Sequence, residues 1–159
     1  MNPKQLKDLI ARVLKSMGHY SREAVDLLMV TAAQESHCGH YIRQIGGPAL
    51  GIFQMEPETL LDIYENYLPR KPQLARKLSE SRTYDRELDL EGNLLYQIVA
   101  ARVHFLRVPK AIPKREWFEA EHAYVSALAG YWKQYWNTLA GKGSVKEAVQ
   151  NYNIYVREA

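Results

Sequence analysis

A single cysteine in 159 residues leaves no partner for an internal disulfide, so the fold does not depend on an oxidising compartment. No apolar run approaches the ~20 residues that a membrane-spanning helix needs, and stable insertion is not expected. Apolar and polar residues do not alternate convincingly anywhere, which argues against extended sheets, and no segment repeats. The opening MNPKQLKDLIARVLKSMGHY interrupts its apolar residues with Lys4, Lys7, Asp8, Arg12 and Lys15, so no signal peptide is expected. Neither sign of charge dominates: 21 Lys and Arg against 18 Asp and Glu give a net +3, a mild preference for anionic polymers and nothing more specific. Phenylalanine is scarce at three, whereas tyrosine reaches eleven and tryptophan three. Tyr and Trp combine a flat apolar face with a polar tip, which suits sugar rings as well as partly buried core positions.

What is present is helical periodicity. Leu6, Leu9, Ile10, Val13, Leu14 and Met17 recur at helical spacing up to Gly18, giving a first amphipathic helix. Ser21 is a natural N-cap for a second, from about Arg22 to Glu35, on which Val25, Leu28, Ala32 and Glu35 share one stripe. Gly39, Gly46, Gly47 and Pro48 mark a loop or a small irregular hairpin within residues 42–54. Pro57 suits the first turn of a helix running to Pro69. From Pro69 to Asp89 the charge is dense and the period weak, which predicts one short helix around Leu74 to Leu78 and otherwise exposed loop. The stretch from about Glu91 to Val108 is apolar nearly all round, predicting a central buried helix that Pro109 and Pro113 end. Two further helices are predicted over Trp117 to Asn137 and Val145 to about Tyr152, the last capped by Ser144 after Gly141-Lys142-Gly143. The expectation is one all-α domain over residues 1–159, with at most that small β-hairpin.

Glu35 is where this pattern invites chemistry. A carboxylate on an apolar helix face loses hydration, which disfavours its charged form and raises its pKa towards the range of a proton donor near neutral pH. A general acid that breaks a glycosidic bond needs that property. The plain alternative is a helix-end carboxylate that caps the helix or pairs with Arg43. His37, Cys38 and His40, with His19 nearby, are zinc-type ligands, but they are crowded and lack a second spaced pair. Trp132, Tyr135 and Trp136 with Lys133 and Lys142 interleave aromatic and basic groups as single-strand nucleic-acid binders do. On a helix those aromatics share one face, which fits core packing or a cleft wall better, and no nucleic-acid partner is expected.

Gln34-Glu35-Ser36 followed by Gly51-Ile52-Phe53-Gln54-Met55-Glu56-Pro57-Glu58-Thr59 resembles the soluble lytic transglycosylase domain of the lysozyme superfamily. That family writes a Glu-Ser pair at a helix end and, further on, Gly-Leu-Met-Gln-x-Met-Pro-x-Thr. Asp89-Leu90-Glu91-Gly92-Asn93-Leu94 is similar to the Asp-x-Glu-x-Asn-Ile block the family places before its central helix. Its Ala-Tyr-Asn-Ala-Gly block meets Tyr131 and Trp132 in one register and Tyr135-Trp136-Asn137-Thr138 in another. Ile154-Tyr155-Val156 is similar to its terminal Asn-Tyr-Val.

The resemblance implies a lysozyme-like helical domain that cleaves the β-1,4 bond between N-acetylmuramic acid and N-acetylglucosamine in peptidoglycan, with no metal or organic cofactor. Glu35 is the implied catalytic acid and then base; Ser36, Gly51, Phe53, Gln54, Met55, Tyr131, Tyr135 and Asn137 are the implied substrate contacts. Gly51 in this reading lets the backbone come close to the sugar. Hen-type lysozymes, which also write Gly-Ile-Phe-Gln, carry an Asp two residues before that Gly, where this chain has Ala49. Retaining hydrolysis needs a second carboxylate about 5 Å from the acid. The expected product is therefore the 1,6-anhydro end of a lytic transglycosylase. Two alternatives stay open: a hydrolysing lysozyme with Glu56, Glu58 or Asp62 as partner, and a non-catalytic murein-binding virion module. A monomer is expected, acting at the bacterial cell wall and brought there by holin release or as part of a phage virion.

Overall fold

The structure, a computed structural model, describes residues 1–138 and 141–158. The predicted domain also takes in Leu139, Ala140 and Ala159, which lie outside the described residues. Helix accounts for 67 % and strand for 2 %, so the all-α expectation holds. In chain order the α-helices are α1 (Pro3–Ser16), α2 (Arg22–Ser36), α3 (Pro57–Asp62), α4 (Pro72–Glu80), α5 (Arg86–Gly92), α6 (Leu94–Leu106), α7 (Glu121–Trp132) and α8 (Val145–Tyr152).

Local chemistry sets the ends of the best-defined helices. Ser21 Oγ accepts the Ala24 N–H at 3.0 Å to open α2, and Ser144 Oγ accepts the Glu147 N–H at 3.1 Å to open α8. The α1 stripe of Leu6, Ile10, Val13 and Leu14 is buried. The sequence marks α6 as the central helix, and α2 shares that place: from Ala24 to Ala33 every residue of α2 is buried. It packs against α1, α6, α7 and α8. Each fully buried Leu or Val of this core contributes about 1.5–3 kcal/mol. Asp26 brings a charge into it and is met by Lys7 Nζ at 2.8 Å and by the donated hydroxyl of Tyr124 at 2.9 Å.

Several expectations change. The exposed loop expected before Asp89 contains α5, opened by Asp85, whose carboxylate accepts the Glu87 and Leu88 N–H groups. Asp89 turns inward and is buried, accepting from the Thr83 N–H and hydroxyl and from Asn93 Nδ2. Asn93 then caps α6, so the predicted helix from Glu91 is cut in two. The long helices predicted over 57–69 and 117–137 are shorter: α3 passes into a π-helical turn, Ile63–Tyr67, and α7 begins only at Glu121 and ends in another, Lys133–Asn137. The hairpin reduces to two isolated bridges, Arg43 with Leu50 and Leu50 with Met55.

Candidate active site

Glu35 stands one residue before the end of α2, and the turn after it is built tightly. His37 and Cys38 both take left-handed backbone, φ 51° and 57°, so that their N–H groups return to Ala33 and Ala32 carbonyls. Ser36 fastens this end to the loop that follows: its hydroxyl donates to the Ile52 carbonyl at 2.6 Å and accepts the Gly39 N–H at 2.8 Å. It is fully buried, so the expected sugar contact at Ser36 gives way to a structural clamp that sets where Glu35 sits.

Gly51 is also tied inward. Its φ is +79°, and a Cβ there would strike the Leu90 carbonyl and the Gln97 side chain, so glycine is needed for the approach of α5 and α6 and not of a substrate. Gln97 Oε1 accepts the Ile52 N–H at 2.7 Å and holds the loop from the other side. Arg43, the suggested partner of Glu35, is instead paired with Glu91 by two bonds of 3.1 and 2.6 Å. The Asp89–Asn93 block and the Gly51 loop thus brace each other, and Glu35 is left without a basic partner among the described residues.

A cleft of about 800 Å³ opens at this helix end. The loop side supplies Tyr41, Gln44, Ile45, Ala49, Gln54 and Met55; the far part of the chain supplies His104, Trp132, Trp136, Asn137 and Glu147. Glu35 Oε1 accepts the indole N–H of Trp132 at 2.9 Å. The Glu35 pKa is raised to about 7: burial is the main cause, the Trp132 bond opposes it by favouring the anion, and the like charge of Glu147 adds to it. Trp132 is itself fully buried, and only glycine fits at 143, where a Cβ would lie 2.7 Å from the indole. Glu147 lies on the first turn of α8, and its carboxylate makes no salt bridge among the described residues. Asn151, one turn on, donates to Gln34 Oε1 at 2.7 Å and fixes α8 against the end of α2.

Of the expected site residues the cleft gathers Glu35, Gln54, Met55 and Asn137, with Ala49 among them. Phe53 is buried beneath it; Tyr131 is buried and donates to the Lys110 carbonyl at 2.7 Å; Tyr135 packs on Tyr131 at 4.6 Å between ring centroids. These three serve the core behind the wall. Of the suggested second carboxylates, Glu56 lines the cleft, whereas Asp62 is held by Arg107 at 2.6 Å and Glu58 does not line the cleft. The zinc-type set does not converge: the His37 ring stacks on Tyr155 at 4.2 Å, the Cys38 thiol is buried with its pKa pushed up to about 11, and no three metal-binding side chains meet among the described residues.

Sequence reasoning did not single out Trp132 as the partner of the acid, nor Glu147, His104 or Tyr41. Glu147 carried a signal of another kind, the Ser-x-x-Glu pattern of a capping box, which reads as helix chemistry alone. No protein-family model, curated protein or solved structure matches this chain. What the site can do therefore rests on its own geometry.

Proposed function

We propose that this cleft is the active site of a lysozyme-like peptidoglycan lytic transglycosylase, with Glu35 as its acid and base. The observation that carries this reading is Glu35 itself, a carboxyl held near pKa 7 by burial on an 800 Å³ cleft with an indole N–H fixing its orientation. A group so placed keeps its proton at the pH where an ordinary glutamate has lost it, which is what a leaving glycosidic oxygen requires.

Protonated Glu35 gives its proton to the oxygen between N-acetylmuramic acid and N-acetylglucosamine, and the bond from that oxygen to the anomeric carbon breaks. The substrate's own 2-acetamido carbonyl takes up the positive charge at that carbon. The ionised Glu35 then removes the proton of the muramic 6-hydroxyl, whose oxygen bonds to the anomeric carbon as the acetamido group leaves. The product has a 1,6-anhydro end and Glu35 regains its proton. Ala49 supports this course, since it puts a methyl group where a hydrolase would carry a nucleophile. No external cofactor takes part, and the enzyme acts as a monomer on the cell wall, reached through holin pores or from a virion.

One observation favours hydrolysis as the second reading. Glu147 lies close enough to raise the Glu35 pKa, and a carboxylate in the cleft can activate water for attack on the anomeric carbon. Product mass separates the two. Digested purified murein is expected to yield anhydromuropeptides, lighter by one water than reducing muropeptides. Reducing muramic ends would assign the chain to the hydrolases, and activity surviving Glu35→Gln would remove Glu35 from the chemistry.

A further inference from the structure

His104 comes from α6 to the cleft, and nothing in the proposed acid–base step uses it. Its environment is specific. Arg107 donates to His104 Nδ1 at 2.7 Å and to Asp62 Oδ2 at 2.6 Å. A guanidinium has no acceptor, so Nδ1 accepts, and the proton of the neutral ring sits on Nε2. Nε2 lies 3.3 Å from the Tyr135 carbonyl, inside the π-helical turn Lys133–Asn137. Burial first, then the Arg107 charge, pushes the His104 pKa down to about 4, so this tautomer persists at neutral pH.

The next residue along that turn is Trp136. Its indole meets His104 edge to face at 4.6 Å and 83°, rests on Phe105 at 5.1 Å, and lines the cleft. Trp132, the other indole lining the cleft, is fully buried and committed to Glu35, so of these two Trp136 is the one with surface left for a ligand. A π-helical turn spaces its side chains differently from the α-helix around it and recurs at functional sites. A leucine at 104 would fill the same space, yet it would leave the Arg107 donor and the Tyr135 carbonyl without their partner.

We propose that His104 is a positioning residue that, with Asp62 and Arg107 behind it, fixes the Lys133–Asn137 turn so that Trp136 forms the apolar wall of a subsite for an N-acetylated pyranose ring. The aromatic face meets the C–H face of the sugar, and Asn137, which also lines the cleft, stands beside it with a polar amide. This inference rests on the reading of the cleft as a glycan site.

The test is binding of a β-1,4-linked N-acetylglucosamine tetramer to the full chain carrying Glu35→Gln, followed by tryptophan fluorescence and calorimetry. His104→Leu is expected to weaken binding about tenfold or more, as is Trp136→Ala, while His104→Gln, which can still accept from Arg107 and donate to Tyr135, returns to within about threefold. In the active chain the same leucine variant is expected to raise KM with kcat held within about threefold. Asp62→Ala, at the exposed end of the relay, covers the case of a leucine variant that does not fold, and it is expected to weaken binding about fivefold or more. Tight binding by folded His104→Leu, or by Asp62→Ala where leucine does not fold, overturns the positioning role while leaving the glycan reading intact. A parent chain that binds no tetramer and cleaves no murein overturns both.

Discussion

At the scale of the residue, Glu35 stands between influences of opposite sign, and each can be removed separately. The proposed reaction needs the protonated carboxyl, so activity is expected to fall as pH rises through about 7. Trp132→Phe removes a hydrogen bond that favours the anion and is expected to move that alkaline limb to higher pH. Glu147→Gln removes a like charge and is expected to move it to lower pH. Purely structural roles would change the height of the pH–rate profile without moving its limbs. The same raised pKa bears on stability. Between about 4.5 and 7 the folded carboxyl keeps a proton that the unfolded chain has released, so its contribution is fully present below 4.5 and is lost as pH rises to 7. Glu35→Gln is therefore expected to unfold at higher urea than its parent at pH 8, by about 1–3 kcal/mol, with no difference at pH 4. The apolar stripe made the inward-facing position of Glu35 legible in the sequence. Trp132 and Glu147 were not, because they lie on α7 and α8 and meet the acid only through packing.

At the scale of the element, the loop that lines the cleft carries two glycines whose substitution separates backbone strain from close approach. Gly46 and Gly51 both have positive φ, 71° and 79°, but a Cβ meets nothing at Gly46 and collides with α5 and α6 at Gly51. Gly46→Ala is expected to cost about 1 kcal/mol and Gly51→Ala at least about 2 more, measured by chemical denaturation. Equal costs would mean that the loop does not lie against Leu90 and Gln97. Helix starts at Ser21 and Ser144 could be read from the sequence, because a cap is a local hydrogen bond. The α5 helix could not: Asp89 looks like a surface charge until Thr83 and Asn93 supply its partners from outside the helix. The π-helical turns were equally hidden, since over five residues their apolar spacing does not differ usefully from an α-helix.

At the scale of the whole molecule, a single core closes over Cys38, whose thiol is buried and shifted up to about 11. The native chain at pH 8 is expected to stay unlabelled by a thiol-reactive disulfide reagent over a time in which the urea-unfolded chain takes up one equivalent. Rapid labelling of the native chain would mean that the turn after Glu35 opens. No described helix is long and apolar enough to cross a membrane. The amino-acid order alone determined the helical class, the caps at Ser21 and Ser144, the buried faces of α1, α2 and α6, and the carboxylate of Glu35 at the end of α2, because each follows from interactions within one or two turns. Only the tertiary structure decided that Ser36 and Gly51 serve the scaffold, that Trp132 and Glu147 act on Glu35, and that His104 lines the same cleft. Those roles depend on which helices lie within hydrogen-bond reach and which carbonyl stands behind a glycine, and chain-distant packing sets both.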